Sequence, residues 1–429
     1  MNWGLVVAMA LLIVWALLAN WLARRRVSLP LVMLGGGLLA GAVALILQAT
    51  GVSSNTIDIG IITVVLNEPA AERAVELVLA LVLFIDSFEV RRGMLGHQPG
   101  MALRLLAIAL PLSGVLAMLV GLWLFPFLLV AVVLLIVCAV IPTDLAPTAG
   151  LFGSDRRIPL RVKDLLNVES GYNDGIVAPV FVFAITLAGA TSHASTPLAA
   201  LQQAVPAALV SLAVGVVVGA GTGWLMRWAI RHRLTSRATL RFGVVAIPLL
   251  TYAIAVLGHG NGFVAAFVAG VAFHAVRGDL AHSEIDLCED LTQVATAVVW
   301  FALGAVTLTV LLGTLTWQIA VFSLAVLTVL RIVPVLLSLP GCGWSWPDRL
   351  LIAALGPRGI ATMVFGMLAI NDLADEQVVI TILSIIVTTI IGSFLLHGVG
   401  LPTLVGWYAR HAPSEDEASD AAEPAGPRS

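Results

Sequence analysis

Asn167-Val168-Glu169-Ser170-Gly171-Tyr172-Asn173-Asp174-Gly175 lies inside an otherwise apolar stretch long enough to form a helix across a bilayer. Two carboxylates at that depth are costly, and intramembrane acids are rare and by default functional. Helical spacing divides the segment into two faces. Glu169 and Asn173 stand four residues apart on one, while Ser170 and Asp174 share the next, rotated by about 100°. The first face offers a carboxylate and an amide oxygen, a natural partner for the donor fork of a buried arginine. The second offers hard oxygens, which suit a small alkali cation and do not suit a soft metal.

The surrounding chain sets the class. Of 429 residues, 60% are hydrophobic and 11% charged, with a mean hydropathy of +1.04. No polar surface could cover such a chain in water, so it reads as an all-α polytopic membrane protein. The net charge of -3 carries little, because the side on which each charge sits matters more than the sum. Cys138, Cys288 and Cys342 are scattered without metal-ligand spacing, so no disulfide framework, zinc site or other cofactor is indicated. Met1-Asn2-Trp3-Gly4 has no basic residue, and Arg24-Arg25-Arg26 follows the first apolar stretch. That order fits a retained first helix with its N-terminus outside, not a cleaved signal.

A window of ~20 residues yields about 13 spans, near 4–23, 29–48, 74–90, 102–124, 126–152, 163–189, 199–230, 239–257, 261–276, 286–308, 316–339, 348–370 and 375–399. Alternating them from an outside N-terminus puts Arg91-Arg92, Arg156-Arg157-Arg161-Lys163, Arg227-Arg231-Arg233, Arg277 and Arg349 on the cytoplasmic side, and Glu68, Glu72, Asp372, Asp375 and Glu376 opposite. The transmembrane part is expected to run from 1 to 402. Residues 403–429, acidic and rich in Pro and Ala, should form a disordered cytoplasmic tail. Arg277 to Asp290 reads as a solvated connecting loop, and Gly35-Gly36-Gly37 and Gly215 to Gly223 as sites of close helix packing.

Asp144, Glu169, Asp174, Arg331 and Arg358 all fall near the midpoints of their spans. At ~2.5–3.5 kcal/mol each they would together cost on the order of 12–18 kcal/mol unpaired, more than a fold retains. They must be paired, solvated in a cavity or protonated. Pro142 and Pro147 interrupt the fifth span around Thr143 and Asp144, and Gly356-Pro357-Arg358-Gly359 interrupts the twelfth. Broken backbone at this depth is tolerated only where it lines a cavity or is covered by protein. Two such spans in opposite halves point to inverted repeats around a midplane binding site.

Thr143-Asp144, the Glu169-to-Gly175 run, Gly260-Asn261-Gly262-Phe263 through Gly270, Arg331 and Gly356-Pro357-Arg358-Gly359 together resemble the monovalent cation:proton antiporter-1 family, in particular its NhaP-like prokaryotic sodium/proton exchangers. The resemblance spans roughly residues 75 to 400. It implies a homodimer of 13-helix subunits in the cell membrane. Core helices over about 102–189 and 316–399 would move like an elevator against scaffold helices over about 4–90 and 199–308. It implies that Asp174 binds either Na+ (or Li+ or K+) or H+, that Thr143, Asp144 and Ser170 add cation oxygens beside Asn173, and that Glu169 and Arg331 form a structural ion pair. Arg358 and Asp86, the latter near the place of a third-helix acid, would be auxiliary. Leu145 stands where many relatives carry a second proline. Asn173 is neutral where electrogenic relatives of the wider superfamily have an aspartate, which implies electroneutral one-for-one exchange. Nucleic acid is not an expected partner. The rival reading is a cation channel or uniporter without proton coupling. A hydrolase lacks any Gly-x-Ser-x-Gly or His-Glu-x-x-His motif.

Overall fold

The structure is a computed structural model. It describes residues 3–25, 27–50, 69–87, 95–148, 152, 155, 157–189, 197–278, 282–371, 373 and 375–411. Arg26, Glu68, Arg91, Arg92, Arg156, Asp279, Asp372 and the chain beyond His411 lie outside them. Among the described residues every regular element is helical. The helices are α1 (Trp3–Arg24), α2 (Leu29–Ala49), α3 (Pro69–Asp86), α4 (Pro99–Leu124), α5 (Val130–Val140), α6 (Leu160–Gly189), α7 (Pro197–Arg231) and α8 (Arg237–Leu257). Then follow α9 (Gly262–Arg277), α10 (His282–Thr314), α11 (Trp317–Ser338), α12 (Trp346–Ala354), α13 (Ile360–Asn371), α14 (Glu376–Ser393) and α15 (Gly400–His411). Among the described residues α1, α2, α4, α6, α7, α8, α10, α11 and α14 are long and apolar enough to cross a membrane, and α5, α9 and α13 are shorter apolar helices.

Local chemistry explains several boundaries. Pro111 has no N–H to close an α-turn, and the wider turn Leu105–Ala109 precedes it within α4. Asn261 starts α9 by accepting the Val264 N–H at 2.9 Å, while its own N–H donates to Ser211 Oγ at 2.6 Å. The Gly-Asn-Gly motif is therefore a helix start held by a neighbouring span. Small residues set the closest packing. A Cβ on Gly37 or Gly41 of α2 would run into the backbone of Phe301 and Ala305 on α10, and one on Gly219 of α7 into Ala269 on α9.

Two expectations need correcting. The stretch Arg277 to Asp290 is not all loop: α10 begins at His282, and Glu284, buried in its first turn, pairs with Arg277 at 2.8 Å. Pairing removes the reason for these charges to stay in solvent. The tail does not begin at 403, because α15 continues to His411 and buries Leu401, Val405 and Tyr408. Its anchor is polar, with Tyr408 OH donating to Asp348 Oδ1 at 2.8 Å while Arg161 of α6 donates to Asp348 Oδ2 at 2.8 Å. A feature without a counterpart in the sequence reading is the break in α11, where Thr328, with φ −123° and ψ −92°, separates Trp317–Leu327 from Val329–Ser338.

α5 packs on α4, α6, α13 and α14, while α2, α3 and α7 pack with α8, α9 and α10. α6 touches both groups, and this places its polar segment between them.

Candidate functional site

Neither interrupted span can close its own hydrogen bonds, and the groups that replace them build the site. After α5 the chain is irregular from Ile141 to Leu145, and between α12 and α13 from Leu355 to Gly359. The two stretches cross. Asp144 N–H donates to Pro357 O at 2.8 Å, and Ile360 N–H donates to Asp144 Oδ2 at 3.0 Å. Asp144 therefore caps α13 from another segment, with a negative charge at the positive end of the helix. Gly359 is what permits the approach, since a Cβ there would overlap the Asp144 carboxylate.

α6 ties itself to the same crossing. Asn173 Nδ2 donates to both Thr143 O and Thr143 Oγ1 at 2.8 Å. Because a carbonyl can only accept, this fixes the amide's orientation and turns Oδ1 away, where it has no partner among the described residues. Ser170 Oγ accepts the Leu145 N–H at 3.3 Å, a donor that a proline at 145 would not supply.

Arg331 of α11 reaches both oxygens of Glu169, with Nη2 to Oε2 at 2.7 Å, and Nη2 also donates to Leu355 O at 3.2 Å. Sequence spacing assigned the arginine's second acceptor to Asn173. It is instead the Leu355 carbonyl, left without a helical partner by the break. Gly356 lies against this pair: a Cβ there would come within 2.8 Å of Arg331 Nε and 3.2 Å of Thr143 Cγ2.

Arg358 is 1% exposed, yet its guanidinium hydrogen bonds go to carbonyls: Nη1 to Gly356 O at 2.9 Å and Nη2 to Val326 O, beside the kink in α11, at 3.3 Å. Its backbone N–H donates to Ser393 Oγ at 2.8 Å, and the Gly356 N–H donates to His397 Nε2 at 3.4 Å. Ser393 and His397 escaped the sequence reading. The signal available was a pair of polar residues at i and i+4 in the apolar run from Ile382 to Gly398.

Asp174 is 3% exposed, and its Oδ1 has no hydrogen-bond partner among the described residues. The charged groups acting on it are the Asp144 carboxylate and the Arg358 guanidinium. Its neighbour Gly175 leaves room for Phe267 of α9, whose ring meets Tyr172 edge-on at 5.7 Å. The contacts thus join Thr143, Asp144, Glu169, Ser170, Asn173, Arg331 and Arg358 in one cluster around the breaks, with Asp174 in the field of two of them. Asp86 ends α3, half-buried, on a helix that packs against α6, α9 and α13. Among the described residues no three His, Cys, Asp or Glu side chains gather as metal ligands. What the cluster offers is hard oxygen on a buried carboxylate and a buried amide, chemistry for an alkali cation or a proton.

Helices long and apolar enough to cross a membrane, two of them broken where polar groups gather, are the marks of a polytopic membrane protein. The chain belongs to the transmembrane sodium/hydrogen exchanger family, which it matches over residues 7–407, and that is a family of transporters. A Na(+)/H(+) antiporter of Schizosaccharomyces pombe is 25% identical over 313 residues, 64% of this chain, and the chain spans 64% of that relative's length. Its fold is similar to the structure of the sodium proton antiporter MjNhaP1 from Methanocaldococcus jannaschii at pH 8, with a TM-score of 0.72 at 18% identity over 95% of this chain and 98% of that one. An electron-microscopy structure of the same antiporter gives a TM-score of 0.60 at 16% identity, over 89% and 97% of the two chains.

Proposed function

We propose that this protein is a secondary antiporter, not an enzyme, exchanging a monovalent cation, sodium first, for a proton at Asp174. One observation carries the reading: a carboxylate buried to 3% exposure, with an oxygen lacking any partner among the described residues, beside the crossing of two broken spans. A bare carboxylate in such surroundings is costly, and either a proton or a cation neutralises it. The two guests therefore exclude one another, and only the loaded forms cross cheaply. Asn173 Oδ1 is a further buried oxygen without a partner among the described residues, and on this reading Thr143, Asp144 and Ser170, bonded around the same breaks, add more oxygens for the cation. With Asn173 neutral, one exchangeable acid remains, so exchange is electroneutral and one for one.

The proposed transport cycle divides the helices into two parts. Residues 102–189 and 316–399 form a core that slides as an elevator against a scaffold of residues 4–90 and 199–308. The protein is a homodimer in the cell membrane, with its N-terminus outside and C-terminus in the cytoplasm, the orientation that the arginine distribution favours.

The test is proteoliposomes with an internal pH dye, given a sodium jump with the membrane potential clamped. The wild type moves protons against sodium and Asp174→Asn, still folded, does not. Sodium entry without a pH change would mean a channel or uniporter, and residual exchange in Asp174→Asn would remove that residue from the site.

A further inference from the structure

The backbone around 355–360 raises a question that the cation site does not answer. A helix interrupted in a membrane leaves N–H and C=O groups that need partners. The carbonyls are taken by charged groups or backbone: Leu355 O by Arg331, Gly356 O by Arg358 and Pro357 O by the Asp144 N–H. The Ile360 N–H goes to Asp144 Oδ2. Among the other N–H groups, those of Gly356 and Arg358 are satisfied from α14 and the wider turn that continues it, Phe394–Val399.

His397, 3% exposed, does this in one protonation state. Its Nδ1 stands 3.0 Å from Ser393 O, an acceptor only, so Nδ1 carries the proton. Nε2 then keeps a lone pair for the Gly356 N–H at 3.4 Å. Ser393, one turn earlier, accepts the Arg358 N–H on its hydroxyl. The wider turn begins directly after Ser393, and such turns inside helices are frequent at functional sites.

Gly356 is not a remote anchor. Its carbonyl holds the Arg358 side chain, and its α-carbon abuts Arg331 and Thr143. Arg358 is in turn a charge acting on Asp174. We infer that His397, with Ser393, is a positioning residue for the cation site: neutral imidazole holds the Gly356 peptide so that Arg358 and Arg331 keep their places around Glu169 and Asp174. The inference rests on sodium/proton exchange as proposed above.

The experiment compares His397→Leu, His397→Gln and Ser393→Ala with the wild type in proteoliposomes, reading half-saturating sodium and maximal rate separately, with hydrogen–deuterium exchange of peptides covering 351–366 alongside. Glutamine keeps one donor and one acceptor, while leucine keeps neither. Losing the Gly356 partner should raise half-saturating sodium by about 3- to 10-fold in His397→Leu and quicken amide exchange around the break. His397→Gln should return both to within about twofold. A folded His397→Leu with unchanged half-saturating sodium, or a glutamine variant no better than leucine, overturns the positioning role. Should His397→Leu fail to fold, Ser393→Ala decides in the same way, removing only the Arg358 N–H acceptor. A wild type that exchanges no sodium would instead sink the transport reading; the amide-exchange comparison then decides alone whether His397 holds the break.

Discussion

Removing Glu169 should be expensive for the fold in a way that removing Asp174 is not. Glu169 and Arg331 are 1% and 6% exposed, and the pair is two-pronged. Breaking such a buried pair from one side typically costs ~3–5 kcal/mol, because the surviving charge stays desolvated. In Glu169→Ala the guanidinium would keep, among the described residues, Leu355 O alone, at 3.2 Å, which is too little to offset a buried cation. A chain unfolded within the membrane also finds polar partners, so the lower end, about 3 kcal/mol, is the sounder expectation; it lowers the folded-to-unfolded ratio roughly 150-fold. The assay is reversible denaturation by SDS in mixed micelles, followed by helicity, for Glu169→Ala, Arg331→Met and the double variant. Apolar replacement of both partners removes the stranded charge, so the double variant should recover more than half of the single-variant loss. A loss below about 1 kcal/mol for Glu169→Ala, or strict additivity in the cycle, would refute the idea that this pair is buried and mutually dependent.

Two further outcomes follow from the same geometry. Gly359→Ala would drive a methyl into the Asp144 carboxylate and dislodge the cap on Ile360, costing about 1–3 kcal/mol in the micelle assay and abolishing exchange in vesicles, whereas Gly313→Ala, with open space around it, should be tolerated. Under the proposed competition of proton and cation for one carboxylate, half-saturating sodium should fall as pH rises, by about tenfold per unit wherever the proton holds the site; a pH-independent value with a changing maximal rate would contradict competition.

What the sequence reveals here is depth and chemistry, and what it hides is backbone. Charges at the midpoints of apolar spans are costly wherever they point, so Asp144, Glu169, Asp174, Arg331 and Arg358 could be gathered before any helix was placed. The breaks were legible for a similar reason: proline and glycine in a membrane helix remove donors in a countable way. Which acceptor each donor then chooses depends on where the broken strands lie, and no periodicity encodes that. Asn173 shares a helical face with Glu169, yet its Nδ2 donates to the carbonyl and hydroxyl of Thr143, both presented by the irregular stretch after α5. The start of α10 was misread because Arg277 and Glu284, seen singly, look like solvated charges, and only their pairing makes burial affordable.

The same reasoning shows why the acids here divide into two kinds. Asp144 and Glu169 each have a donor assigned, the Ile360 amide for one and the Arg331 guanidinium for the other, so each is tied to the architecture of the breaks. Arg358, which could have neutralised a third acid, directs its Nη1 and Nη2 at Gly356 O and Val326 O. Asp174 is thereby left within reach of that positive field but with an oxygen that no donor claims among the described residues. A carboxylate with a permanent partner could hold helices together but could not trade guests. On the function proposed above, the arrangement of breaks, arginines and capping groups has its point in the carboxylate oxygen it leaves without a partner among the described residues.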